Sequence, residues 1–356
     1  MASERFTVDG PRTRVAFGTG AADDLLAELG ALGVERVLIV TTPGRARALD
    51  AVRASARDRI VGVCDLAALH VPRQRVSAAV EAIDRLEADA LLAVGGGSAI
   101  GLAKAAALER PLPIIAIPTT YAGSEMTSIW GVTDGDLKRT GRDARVAPRL
   151  VIYDPRLTLS LPPAVSAASG MNAMAHAVEA LYGANASPEA AAAADDALRC
   201  LSRALPLVVT DPSDLEARVM ALRGAYFAGV ALELGTMGLH HKICHVLGGT
   251  FGLPHAETHA VLLPHVVAFN APAAPGAMSR IAEALGARAA MTGLRDLNRT
   301  LGLTMTLADL GLRKDDIPRA ARLVAAGSYP NPRPVTEAAV VELLTAAWDR
   351  GLSPTC

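Results

Sequence analysis

Aromatic residues are scarce in this chain, at 3% of its length. Charge of one sign is lacking too: 35 basic and 36 acidic residues leave a formal net charge of −1. Together these argue against a nucleic-acid partner, because no basic stripe interleaves with aromatics. Cysteine is rare. Cys64, Cys200, Cys244 and Cys356 form no CxxC pair, so they read as free thiols in a reducing cytoplasm, not as a disulfide framework. No apolar run reaches the roughly 18 residues that a membrane span requires. The opening MASERFTVDG has no apolar signal core. The expectation is a cytoplasmic chain with neither a membrane nor a nucleic-acid partner.

What the chain does have is length and apolar content. At 356 residues, 51% of them hydrophobic, it is too long for one ordinary core, so two domains are expected. Before residue 155, short β-branched runs alternate with alanine-rich stretches of helical period. The runs at 36–41, 59–64, 90–94, 113–117 and 149–155 read as buried strands. Segments 21–32, 44–56 and 76–86 read as helices between them. Continuous apolar strands separated by helices imply a mostly parallel sheet covered on both faces. After Pro162 and Pro163 strand signals nearly vanish, and helices are expected over 164–182, 188–208, 214–232, 238–248, 278–285, 293–301 and 336–348. The reading is an α/β domain over 1–155 and an all-helical domain over 156–356.

In the first domain, Val94 runs into Gly95, Gly96, Gly97 and Ser98 and then into a helical stretch. Glycines let backbone N–H groups approach a ligand, and the helix N-terminus beyond them suits a pyrophosphate. The spacing is not GxGxxG, and alone it fits an ordinary strand–helix turn equally well. A second loop, Ile117 to Thr127, follows the fourth strand and carries Thr119, Thr120, Tyr121, Ser124 and Thr127 around Gly123. Two polar loops at the carboxyl ends of parallel strands make cofactor binding the better reading. The second strand ends at Thr41, with Arg45 and Arg47 nearby and no carboxylate. Nothing there would repel a 2′-phosphate, so NADPH should be tolerated beside NADH, unless both arginines simply face solvent.

All but one of the eight histidines lie between 176 and 265. Asn172 and His176 are four apart, as are His241 and His245, and residues four apart share a helix face. His255 follows from a Pro-flanked loop. Three imidazoles from such positions outline a site for Zn²⁺ or Fe²⁺ that lacks its carboxylate. The neutral amide of Asn172 and the ammonium of Lys242 weaken that reading and favour an anionic substrate. Lys242 is equally readable as solvent-facing. His240, His259 and His265 share no face with the others in this reading. Cys244 reads as an inert buried thiol.

At these residues the chain resembles the iron-containing alcohol dehydrogenase superfamily over nearly its whole length. The carriers are Gly95 to Ser98, Thr119, Thr120, Gly123 to Glu125, His176, His241, His245 and Pro254-His255. The chain departs from the superfamily at four places. Asn172 stands at the metal-binding Asp position, and Gly101 stands where many members have Asp. The loop TYAGSE is shorter by one, and Ala256 follows His255. These departures resemble the maleylacetate reductase branch of bacterial aromatic-ring degradation, through GGGSAIGLAKA, PTTYAGSEMT, SGMNAMAH and GLHHKICHVLGG.

The resemblance implies the dehydroquinate synthase-like fold: an α/β dinucleotide-binding domain followed by an all-α domain. It implies reduction of the carbon–carbon double bond of maleylacetate to 3-oxoadipate by NADH or NADPH, without a metal. It implies a homodimer, and it places Lys138 at a cofactor-contacting position. In the mechanism expected from these residues, hydride adds β to the ketone, and His241 and His245 stabilise and protonate the enolate. Asn172, His176, Lys242, His255 and Tyr121 would contact the dicarboxylate. Thr41, the 95–98 turn, Thr119, Thr120, Ser124 and Lys138 would hold the cofactor. Three other functions stay open at this point. They are a metal-dependent alcohol dehydrogenase in which Asn172 still coordinates, a lyase that uses NAD transiently, and a non-catalytic nucleotide-binding protein.

Overall fold

A computed structural model of the protein describes residues 5–9, 13–44, 46–135, 137–184 and 187–349. Its contacts separate two units, Met1–Leu161 with Ser213–Leu222, and Pro162–Pro212 with Arg223–Cys356. The first unit therefore ends at Leu161, six residues beyond the expected boundary, and it recruits a helical turn from the middle of the second half.

In chain order the first unit contains β1 (Phe6–Asp9), β2 (Arg14–Phe17), α1 (Leu25–Ala31), β3 (Val37–Thr41), α2 (Ala46–Ala56), β4 (Ile60–Cys64) and α3 (Arg73–Leu86). It continues with β5 (Ala90–Gly95), α4 (Gly97–Glu109), β6 (Ile114–Pro118), β7 (Ile129–Asp134), β8 (Leu137–Arg142) and β9 (Leu150–Tyr153). The five apolar runs in the sequence became β3, β4, β5, β6 and β9. Seven strands form one sheet in the order β1-β2-β9-β6-β5-β3-β4, parallel except for the β1–β2 pair. β3, β5, β6 and β9 are buried on both faces, which is why their sequences show no alternation. Each fully buried Val, Leu or Ile there contributes about 1.5–3 kcal/mol. Strand order reverses between β3 and β5, and the carboxyl ends at such a reversal are the ligand crevice of open α/β sheets. Two hairpins, β1–β2 and β7–β8, were not legible. Their strands are only four and six residues long, too short to establish a period, although Val15, Ala16 and Phe17 of β2 are buried.

Among its described residues the second unit contains helices and loops and no strand. It comprises α5 (Pro163–Tyr182), α6 (Pro188–Thr210), the later part of α7 (Leu215–Leu234), α8 (Leu239–Phe251), α9 (His255–Asn270), α10 (Pro275–Ala284), α11 (Ala290–Thr300), α12 (Ile317–Ala325) and α13 (Glu337–Asp349). α5 is the central element: every residue from Ser166 to Tyr182 is buried. Its alanines and Gly170 allow that. A Cβ at Gly170 would lie 2.3 Å from Leu205 on α6. α9 was not among the expected helices, and only its His255 was assigned, to a Pro-flanked loop. Pro254 instead precedes the helix, where a missing N–H costs nothing, and Pro264 is carried within it. Among the described residues no helix is long and apolar enough to cross a membrane.

Candidate active site

The first unit builds a polar cradle at the end of β5. Gly95 has φ of 151°, a backbone that L side chains rarely adopt. Gly96 lies against Thr120, whose Oγ1 would be 2.8 Å from an added Cβ. Gly97 is exposed at the start of α4 and Ser98 is half-buried, so the helix N-terminus is open to an anion. The Thr119 N–H donates to the Gly95 carbonyl at 2.9 Å, joining the two loops. Thr119 Oγ1 and Ser124 Oγ are buried and have no hydrogen-bond partner among the described residues.

Lys104 holds the second loop from beneath. It is 1% exposed, and the other buried residues of α4 are all apolar. Its ammonium donates to the carbonyls of Ser124, Thr127 and Ile129 at 2.7, 2.6 and 3.0 Å, and to Thr127 Oγ1 at 3.0 Å. Glu125 is fully buried beside it, and Tyr153 Oη donates to its Oε1 at 2.9 Å. Burial pushes the Glu125 carboxyl up to about 7 despite that bond and the nearby Lys104 charge.

Two residues read as ligand contacts have other employment here. Thr41 is fully buried, and its hydroxyl donates to the Val94 carbonyl at 2.8 Å. It ties β3 to β5 at the strand reversal. Tyr121 is also fully buried, not at the loop edge, and its hydroxyl accepts from Arg218 at 2.8 Å. Arg218, itself fully buried, also donates to the Leu161 carbonyl at 3.1 Å. That pairing is why residues 213–222 belong to the first unit. Lys138 lies on β8, with its aliphatic stem over Gly131 of β7. Arg45 and the Arg47 side chain lie outside the described residues.

The second unit collects imidazoles from three helices. α5 carries Asn172 and His176, α8 carries His240, His241 and His245, and α9 carries His255 and His259. The His176 and His241 rings stack with centroids 5.0 Å apart, and His245 is 6.1 Å from His241 and 6.4 Å from His255. His255 is the first residue of α9 and not part of a loop, so His255 and His259 form another i, i+4 pair, 4.5 Å between rings. His259, read as outside the group, sits within it, 4.9 Å from His241. His240 Nε2 and His259 Nδ1 share a hydrogen bond of 2.8 Å, and Cys244 Sγ lies 3.7 Å from His240 Nε2. Lys242 leads to Gly327, where its Nζ would lie 3.1 Å from an added Cβ.

Glu179 completes the group. It stands seven residues after Asn172 and three after His176, on the same face of α5. The N–H groups of Gly238, His240 and His241 donate to its carboxylate at 3.2, 2.8 and 3.3 Å. These are the unpaired donors that open α8. His241 Nδ1 lies 2.5 Å from Glu179 Oε2. Burial would raise the Glu179 carboxyl, but the His241 bond, the neighbouring imidazoles and the His240 N–H overcome it and hold it below the ordinary value. Burial drives His240 down to about 3, and it holds His176 and His259 well below the usual histidine range, helped by the other rings. Those three rings are neutral at physiological pH. Asn172 Oδ1, His176 Nδ1, His241 Nε2 and His259 Nε2 are buried without a hydrogen-bond partner among the described residues.

Residues 11–155 match the family described as iron-containing alcohol dehydrogenase, and residues 166–348 match the C-terminal region of the Fe-containing alcohol dehydrogenase family. The chain belongs to the iron-containing alcohol dehydrogenase family. It is an oxidoreductase with that family's fold. It is 47% identical to maleylacetate reductase of Sphingobium indicum over 98% of this chain and 99% of that one. It is 48% identical to the Burkholderia cepacia maleylacetate reductase, covering 96% and 97%. The crystal structure of maleylacetate reductase from Rhizobium sp. strain MTP-10005 superposes with a TM-score of 0.89 at 42% identity, covering 97% of this chain and 98% of that chain.

The family's name raises the question of iron. Asn172, His176, His241 and His255 offer three imidazoles and an amide, none of them anionic. Among the described residues, the one set of three or more His, Cys, Asp or Glu ligand atoms lying within 4.8 Å of one another is His240, Cys244 and His259. His176, His241 and His255 do not converge to that degree. The donor set around Asn172 therefore gives a divalent ion no anionic ligand. A dinucleotide fits better: the glycine turn, the open α4 N-terminus and the orphaned Thr119 and Ser124 hydroxyls supply what a pyrophosphate and ribose need.

Proposed function

We propose that the chain reduces the carbon–carbon double bond of maleylacetate to 3-oxoadipate, with NADH or NADPH and without a metal ion. The carrying observation is the charge-neutral donor set around Asn172. An ion-binding pocket without its carboxylate is suited to an anionic substrate with a ketone oxygen to polarise. The near full-length likeness to maleylacetate reductases supports the same substrate.

When bound, the reduced nicotinamide supplies hydride to the alkene carbon β to the ketone. The chain's own residues then manage the enolate. His241 Nε2, buried and without a hydrogen-bond partner among the described residues, is one donor to the ketone oxygen. His245, half-buried one turn along α8, is the preferred proton donor. Asn172 and His176 supply neutral hydrogen bonds, and His255 and Lys242 anchor the carboxylates. Gly95 to Ser98, Thr119, Thr120, Ser124 and Lys138 hold the cofactor. The proposed assembly is a homodimer, with β1 available as the outermost strand of its sheet. Its proposed setting is the cytoplasm, where thiols such as Cys64 and Cys244 stay reduced.

One observation favours a second reading, a metal-dependent alcohol dehydrogenase. A histidine whose Nδ1 meets a carboxylate, with Nε2 unused, is the usual arrangement of a metal-ligating imidazole. The deciding experiment follows NADH oxidation with maleylacetate and with simple aldehydes, before and after dialysis against a strong chelator. The expected result is maleylacetate-dependent turnover that survives dialysis in metal-free protein. Aldehyde turnover lost to the chelator and restored by Fe²⁺ or Zn²⁺ establishes the second reading instead.

A further inference from the structure

Glu179 is 0% exposed, yet its two oxygens meet four donors within 3.3 Å. A buried carboxylate persists only where its lone pairs are satisfied. Here three backbone N–H groups at the start of α8 fix it, so the carboxylate cannot turn away without uncapping that helix. Its contact with His241 Nδ1 is therefore set by two helices at once. A carboxylate is acceptor-only, so Nδ1 must carry the proton. Nε2, on the far edge of the ring, is left as the nitrogen without a hydrogen-bond partner among the described residues. His240 and His259 share one bond between two imidazoles, and either ring can be its donor.

We propose that Glu179 is the positioning residue of this centre: it locks His241 in one orientation and one tautomer, so that Nε2 is the nitrogen presented to the substrate. This rests on the assignment of His241 to the reaction. It adds that the carboxylate missing at position 172 is not the only one in the pocket; another, two helical turns away, acts through an imidazole.

Glu179→Gln tests it. Glutamine keeps the shape but not all four acceptor bonds: Oε2 takes Nδ1 together with the Gly238 and His241 N–H groups, and Oε1 takes the His240 N–H. With its amide nitrogen in the Oε2 place, glutamine faces Nδ1 as a donor and drives the proton to Nε2, while only the His240 N–H keeps an acceptor. Histidine-labelled protein with bound NADH is examined by ¹⁵N NMR. The wild type should show His241 protonated at Nδ1, and Glu179→Gln should show it protonated at Nε2. Turnover should fall about 10²–10⁴-fold with an unchanged KM for NADH, and Glu179→Asp should recover part of it. A wild-type His241 protonated at Nε2, or a folded Glu179→Gln enzyme with wild-type kcat, overturns the proposal. The wild-type tautomer is read without any substrate. It decides the matter even if Glu179→Gln does not fold, and it stands apart from whether maleylacetate is the substrate.

Discussion

His245 and Asn172 are the two residues whose replacement is most informative. His245 lies one turn from His241, with rings 6.1 Å apart, and it is more accessible than its buried neighbours. His245→Ala should lower kcat about 10²–10⁴-fold and leave the dissociation constant for NADH nearly unchanged. Steady-state kinetics with NADH fluorescence titration checks this, and full turnover in the variant removes His245 from the mechanism. Asn172→Asp returns an anionic oxygen to a buried position beside His176. That variant should bind Zn²⁺ in calorimetry where the wild type gives no heat; silence from both counts against an inherited pocket. At this scale the sequence was informative where a regular period did the work. Asn172 with His176, and His241 with His245, followed from i, i+4 spacing alone. Glu179 lies on the same stripe, but a glutamate in an apolar helix has no motif. Its role exists only because the first turn of α8 arrives against it.

At the scale of elements, length and burial decided what could be read. β3, β5 and β6 are continuous apolar runs because both faces are covered, and they were plain in the sequence. The hairpins were not, since strands of four to six residues are too short for a period to stand out. α9 was hidden by its prolines, and with it the His255–His259 pair and the inclusion of His259 in the cluster. α4 carries the element-scale prediction. Its Lys104 is a buried ammonium shared among three carbonyls and a hydroxyl of residues 124–129. Lys104→Met leaves those acceptors unsatisfied in the interior and should destabilise the protein by about 2–4 kcal/mol. Denaturant unfolding measures that loss. A weaker NADH affinity should accompany it, because the loop bearing Ser124 loses its support.

For the molecule as a whole, Glu125 sets a pH dependence of stability. Its folded pKa is raised by burial to about 7, above the ordinary carboxyl value of 4.5. The folded state therefore binds the proton more tightly than the unfolded chain does. The stabilising contribution is full below the unfolded value and is lost as pH rises towards about 7, with a total of about 3 kcal/mol. Wild-type stability minus that of Glu125→Gln should thus decline between pH 5 and pH 8, as read by denaturant unfolding across that range. A flat difference shows that the carboxyl is not protonated in the folded state.

The sequence by itself determined the two-part architecture, the glycine turn and the pairs of polar residues on helix faces. All of these depend on local period and backbone freedom, which a chain carries wherever it is placed. Only the tertiary structure decided that Thr41 and Tyr121 are interior ties, that Arg218 belongs with the first unit, and that Glu179 holds His241. Those assignments depend on which groups, distant in sequence, are buried together. Burial obliges each such polar atom to find a partner that no spacing rule reveals.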